Sequence, residues 1–160
     1  MAQVDLEARA HAEHPEELRL WLRMLACTQL IERELRTRLR EQFDTTLPRF
    51  DLMAQLERVP EGLRMSELSR RMMVTGGNVT GITDQLEGEG LVERIEVEGD
   101  RRAFSVRLTA KGRKDFRAMA QAHEAWIVEA FAGLDSAEIQ TLRNLLGRVK
   151  RHFHELKETA

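Results

Sequence analysis

The 160-residue chain has no tyrosine, one cysteine and three prolines, and aromatic residues make up only 5% of it. A single thiol, Cys27, excludes an internal disulfide framework and suits a reducing compartment. It lies in the apolar run LRMLACTQLIE, where a small buried hydrophobe is expected rather than a redox sensor. No run reaches the roughly 18 apolar residues that a membrane span needs, so no membrane partner is expected. The opening MAQVDLEARAHAEH lacks the apolar stretch of a secretory signal, so residues 1–14 are expected to form a flexible tail and the location to be cytoplasmic.

An excess of one charge is also missing. Lys and Arg number 25 against 27 Asp and Glu, for a formal net charge of −2, whereas small nucleic-acid binders are usually basic. Between Arg64 and Lys114 the balance reverses, with ten basic and eight acidic side chains. No glycine-rich phosphate loop or nucleophile–base pairing is present, so no enzyme and no cofactor are expected. Of five histidines, His11 and His14 lie in the tail and His123 in mid-helix. His152 and His154, two apart, face different ways on a helix, so no metal site is expected.

What is present is helical periodicity, interrupted once. Residues 15–42 predict a single helix about 42 Å long, with leucines recurring at three and four and Pro15 in the first turn. Its apolar face is too long for a small core and needs another cover. Pro48 opens a short helix, PRFDLMAQLERV, followed by a turn, VPEGLR. MSELSRRM and NVTGITDQLEGEG predict two more helices, the second ended by Gly90. In LVERIEVEGDRRAFSVRLT the period changes to two: Leu91, Ile95 and Val97 lead into a glycine-containing turn, and Phe104, Val106 and Leu108 lead out, as in a β-hairpin. A helix from Thr109 to about Phe131 follows. The last helix opens at a capping box, Asp135 with Glu138, and carries Ile139 to Leu156 at heptad-like spacing.

The expected fold is mainly α with a small β-hairpin wing (α+β). Residues 46–109 would form a winged helix-turn-helix, and residues 15–45 and 110–160 a helical dimerisation layer. Such a unit presents one helix to a major groove and a hairpin to the backbone or minor groove. Thr75 is placed to cap the second helix of the pair. Gly76, Gly77, Asn78, Thr80, Gly81 and Thr83 are small or amide-bearing and would allow close approach to base edges. A mid-helix glycine such as Gly81 costs roughly 1 kcal/mol against alanine, which either close approach to DNA or tight packing on a neighbouring helix would justify. At the hairpin tip, Gly99-Asp100-Arg101-Arg102 sets two arginines side by side, suited to a narrow, electronegative groove.

The blocks MSELSRRM, NVTGITDQLEGEGLVER and EGDRRAFSVRLTAKG resemble the MarR family of bacterial transcriptional regulators, most closely from Phe50 to Lys111. The last block matches the family's wing pattern of aspartate, any residue, arginine, then a strand and Leu-Thr-x-x-Gly. The resemblance implies a homodimer with interleaved terminal helices that binds a pseudo-palindromic double-stranded DNA operator. It makes Arg102 the minor-groove arginine, Asp100 the carboxylate that orients it and Arg101 a phosphate contact. The recognition helix departs from relatives in its three glycines. Without tyrosine, and with Cys27 deep in the first helix, the peroxide-sensing branch is not matched.

The resemblance further implies a repressor released by a small-molecule effector, an aromatic acid or its coenzyme A thioester. The effector would lie between the helical layer and the DNA-binding unit, where Trp21, Leu25, Phe43, Phe50, Met53 and Trp126 are candidate walls and Arg36 and Arg40 candidate anion partners. Two alternatives stand beside it: a winged-helix adaptor that binds protein rather than DNA, and a regulator without an effector.

Overall fold

The computed structural model describes residues 14–73 and 78–158, the side chains of 101 and 102 excepted. Six helices and three strands follow in the order α1 (Glu16–Phe43), α2 (Leu47–Glu57), β1 (Leu63–Arg64), α3 (Met65–Arg71), α4 (Val79–Gly88), β2 (Val92–Val97), β3 (Asp100–Leu108), α5 (Ala110–Ala130) and α6 (Ser136–Glu158). The mainly α fold with a small antiparallel sheet is the expected one. Two compact units meet at Glu124/Ala125.

In the first unit, α2 is the central element, packed against α1, α3, α4 and β3. Leu47, Phe50, Leu52, Met53 and Leu56 of α2 are all buried. Thr46 caps the helix by accepting a hydrogen bond from the Arg49 N–H, and Pro48 sits in its first turn, where a missing N–H costs nothing. Of α1 only Leu35 and Leu39 are buried. Cys27, expected to be a buried hydrophobe, is exposed. At 100° per residue it is rotated by about a right angle or more from the Leu35–Leu39 face.

The sheet has the order β1-β3-β2. The short β1, read as part of a turn from the sequence, adds a third strand by pairing Leu63 with Val106. In the β2–β3 hairpin Val92 pairs with Leu108 and Arg94 with Val106. The inner residues of β2 are therefore the even ones. Ile95, paired with Ser105, lies on the face opposite Val106 and Leu108, correcting the expected alternation. The turn is Glu98–Gly99, with Val97 opposite Asp100 and a register shift at Glu96/Val97. Arg101 and Arg102 therefore belong to the first residues of β3, not to the turn itself.

The second unit holds the end of α5 and all of α6. The capping box is present: the Glu138 N–H donates to Asp135 Oδ1 at 2.8 Å and the Asp135 N–H to Glu138 Oε2 at 2.9 Å. No residue of α6 is buried, although Ile139, Leu142, Leu146, Val149, Phe153 and Leu156 recur along it at alternating steps of three and four. Among the described residues no helix is long and apolar enough to cross a membrane.

Candidate nucleic-acid interface

The elements expected from the sequence to meet DNA are α3, α4 and the β2–β3 wing. Val79, Ile82, Thr83 and Leu86 share one side of α4. Ile82, Thr83 and Leu86 are buried there and fix which side of the helix faces out. Thr83, expected among the DNA-facing residues, has no exposed surface. Its hydroxyl donates to the Val79 carbonyl at 2.7 Å, and it sits one residue from Ile82 and three from Leu86, inside the apolar stripe. The outward residues are Gly81 and Asp84, flanked by Thr80 and Glu87 on one side and by Asn78 and Gln85 on the other.

The N-cap of α4 is Asn78, not Thr75. Asn78 Oδ1 accepts from the Thr80 and Gly81 N–H groups at 3.1 and 3.3 Å. This occupies the oxygen that a two-point pairing with adenine would use. Thr75, Gly76 and Gly77 lie outside the described residues, as do the side chains of Arg101 and Arg102. Among the described residues, the nearest atoms to a Cβ on Gly81 would be those of the Asn78 side chain, at 3.6 Å or more. No neighbouring helix therefore requires a glycine there.

Three positioning features were not read from the sequence. Asp51, a buried carboxylate on α2, accepts a hydrogen bond from the Met73 N–H at 2.7 Å and another from the Gln55 amide at 3.3 Å. It thus ties the Met73 backbone, two residues past α3, to the core, while the Met73 side chain stands 84% exposed. Arg94 of β2 forks onto α4, with Nη2 on Asp84 and Nη1 on Glu87, and its backbone N–H donates to Glu87 Oε1 at 3.3 Å. The hydrogen bond to Asp84, ahead of the charge of Glu87, holds its guanidinium protonated even more firmly than usual.

The third feature joins the exit of α4 to the start of α5. Thr109 donates its hydroxyl to the Gly90 carbonyl at 2.6 Å and its N–H to the Leu91 carbonyl at 3.1 Å. Its oxygen also accepts from the Gly112 N–H at 3.0 Å, and Lys111 Nζ donates to the Glu89 carbonyl at 2.8 Å. Gly90, at φ 73°, turns the chain where other side chains would be strained. The Leu-Thr-x-x-Gly block is thus a capped joint. On α3, Glu67 pairs with Arg71 and Arg70. The hydrogen bond from Arg71, with the charge of Arg70, holds its carboxyl below the usual range.

Of the residues expected to hold an effector, Arg36 and Arg40 line one cavity of about 430 Å³ together with Thr45, Leu47, Asn78, Gly81 and Gln85. Phe43 and Met53 border a smaller one of about 220 Å³ beside Arg49, Glu89 and Asp115. Phe50 is core, its ring 5.4 Å from Phe116 and 4.6 Å from His123. Trp21 is exposed, Leu25 half-buried, and Trp126 of the second unit buried. Of the eight, Arg36 with Arg40 and Phe43 with Met53 each share a cavity. Among the described residues no group of three or more His, Cys, Asp or Glu could hold a metal ion.

A helix–turn–helix pair followed by a two-stranded wing that packs on the second helix defines a winged helix-turn-helix protein. The family model described as MarR family matches residues 43–103, from the end of α1 to the start of β3. Over these residues the chain is similar to the MarR family. The HTH-type transcriptional regulator PecS of Dickeya dadantii is 30% identical over 106 residues, a match spanning 65% of this chain and 64% of PecS. The crystal structure of a MarR family transcriptional regulator from Silicibacter pomeroyi superposes with TM-score 0.77 at 28% identity, covering 90% of this chain and 99% of that one. A mutant MarR from Escherichia coli complexed with operator DNA matches with TM-score 0.72 at 26% identity, over 84% of this chain and 95% of its own. These relatives are regulators, not enzymes.

Proposed function

We propose that the chain binds double-stranded operator DNA as a homodimer, through α4 and the wing, and represses transcription until a small anionic effector releases it. The observation that carries the DNA reading is the coupling of an outward helix face, free of bulky side chains at Asn78, Thr80 and Gly81, to a hairpin that begins β3 with Asp100-Arg101-Arg102. In this reading Arg102 enters the minor groove, oriented by Asp100, and Arg101 meets a phosphate.

The homodimer is supported by α6. Its leucines and Phe153 are 38–60% exposed along one heptad-spaced stripe, which a second copy of the same helix would cover symmetrically. Two recognition helices related by that symmetry meet half-sites about one helical turn apart. For the effector, the cavity beside Arg36 and Arg40 is within the usual size range for a small ligand. It is walled on one side by Asn78, Gly81 and Gln85 of α4, so a carboxylate ligand there would favour particular placements of that helix. An aromatic acid fits this description, and a coenzyme A thioester would place only its acyl end there.

The test is a gel shift with the intergenic DNA upstream of the chain's own gene. Wild-type protein retards the fragment, Arg102→Ala loses most of the affinity while remaining dimeric, and Leu146→Glu yields monomers that no longer shift it. Aromatic acids raise Tm and dissociate the complex. An unchanged affinity in Arg102→Ala sinks the wing assignment, and no response to any acid sinks the effector.

A further inference from the structure

Asp84 and Glu87 stand one helical turn apart on α4. Asp84 is on the same outward side as Gly81, where an anionic helix face would repel phosphates. Both are gripped by Arg94. The Arg94 backbone lies on the inner side of the hairpin, opposite the fully buried Val106. Its side chain is only 23% exposed, against 59% for Asp84 and 40% for Glu87. The guanidinium thus leaves a rigid strand, and its planar fork spans two carboxylates on one helix. The Arg94 N–H adds a bond to Glu87 Oε1, so Glu87 is tied to both backbone and side chain of β2. The cross-strand pair Arg107–Glu93, at 2.5 Å, lies one residue away and leaves Arg94 free to serve the helix.

We propose that Arg94 is a positioning residue for DNA recognition, fixing the angle between the recognition helix and the wing so that both reach their grooves in one docking. The inference rests on the DNA-binding reading above. Helix and wing enter different grooves of one duplex, and a modest rotation between them spoils the fit of whichever docks second. A fork of two charge-assisted hydrogen bonds fixes direction as well as distance, which a single ammonium does not.

The full-length protein is titrated with two duplexes of equal length over a salt series. One is selected from a randomised library by the wild-type protein, and the other has arbitrary sequence. Arg94→Gln is expected to weaken the selected duplex at least about tenfold and the arbitrary one less than about threefold, with the salt slope unchanged because Arg94 meets no phosphate. Arg94→Lys loses most of the same specificity. The decisive variant is Asp84→Asn with Glu87→Gln. By charge alone it should bind every duplex more tightly, whereas loss of positioning weakens the selected one.

Tighter binding of both duplexes by that variant overturns the proposal, since Arg94 would then only screen acids. A salt slope reduced by about one in Arg94→Gln does so too, by making Arg94 a phosphate contact. An unchanged ratio between the duplexes, or a loss explained by a matching fall in Tm across all three variants, also overturns it. If the wild-type protein enriches no sequence, the DNA-binding reading fails and this inference with it. Enrichment followed by an unaltered Arg94→Gln fails the inference alone.

Discussion

The Leu91 carbonyl oxygen lies where a side chain on Gly112 would begin: a Cβ built there comes within 1.8 Å of it. The atom met is backbone, and a Cβ has no torsion that could move it away, so no side-chain movement relieves the contact. Gly112→Ala therefore forces α5 away from the exit of α4 and strains the bonds that Thr109 makes to Gly90 and Leu91. A loss of about 3 kcal/mol or more is expected, at the upper end of overpacking costs. For a chain of this size that lowers Tm by roughly 6–12 °C in a thermal melt. A melt within a degree of wild type refutes the account of the joint.

Gly81 gives the opposite expectation. A methyl group there has room, and alanine favours a helix interior by roughly 1 kcal/mol, so Gly81→Ala should raise Tm by about 2–4 °C. If the glycine serves close approach to DNA, the same variant binds its operator at least about tenfold more weakly. Greater stability with full affinity would show that the glycine has no role at the interface.

The architecture was legible because its signals are periodic. Heptad leucines, a capping box at Asp135 and a change from period 3.6 to period 2 locate helices and hairpin without tertiary information. Details set by which side of an element meets the core were less so. Thr83 reads as a small polar residue suited to DNA, yet Ile82 and Leu86 carry it inward, where its hydroxyl finds the Val79 carbonyl. The hairpin alternation was off by one because Leu91, buried just before the strand, resembles its first inner residue, while Val92 takes that place.

Cys27 shows a different limit. Its apolar neighbours suggest burial, but most of α1 is exposed, so the local pattern alone does not decide burial there. Asp51 and Arg94 escaped because each acts across long sequence separations, 22 residues to Met73 and seven or ten to α4. The spacing of Asp84 and Glu87 on one helix face, followed by an arginine in the next strand, is the signal that could have found the second.

Asp51 supplies a local measurement. Replacing it with alanine removes the acceptor of the Met73 N–H within a buried site. A hydrogen bond to a charged partner contributes about 1.5–3 kcal/mol, so Asp51→Ala should lower Tm by roughly 3–12 °C. Hydrogen exchange at the Met73 amide should quicken more than exchange in the centre of α2. Equal acceleration at both would mean that Asp51 supports the core generally rather than the Met73 backbone.

His123 makes stability depend on pH. Its ring stacks on Phe50 at 4.6 Å, and burial pushes its imidazole below the ordinary value of 6.5. The folded protein therefore prefers the neutral ring, and the unfolded chain takes up the proton first as pH falls. The stability this contributes is complete above about pH 6.5, declines as pH drops through the unfolded value, and levels off below the folded one. Phenylalanine keeps the aromatic contact and cannot titrate. The Tm of the wild type should therefore fall more steeply between pH 7.5 and 5 than that of His123→Phe, the difference isolating this ring from the exposed His152 and His154. Parallel curves would mean that the ring takes up its proton as readily folded as unfolded, and the stacking against Phe50 would then carry no penalty for charge.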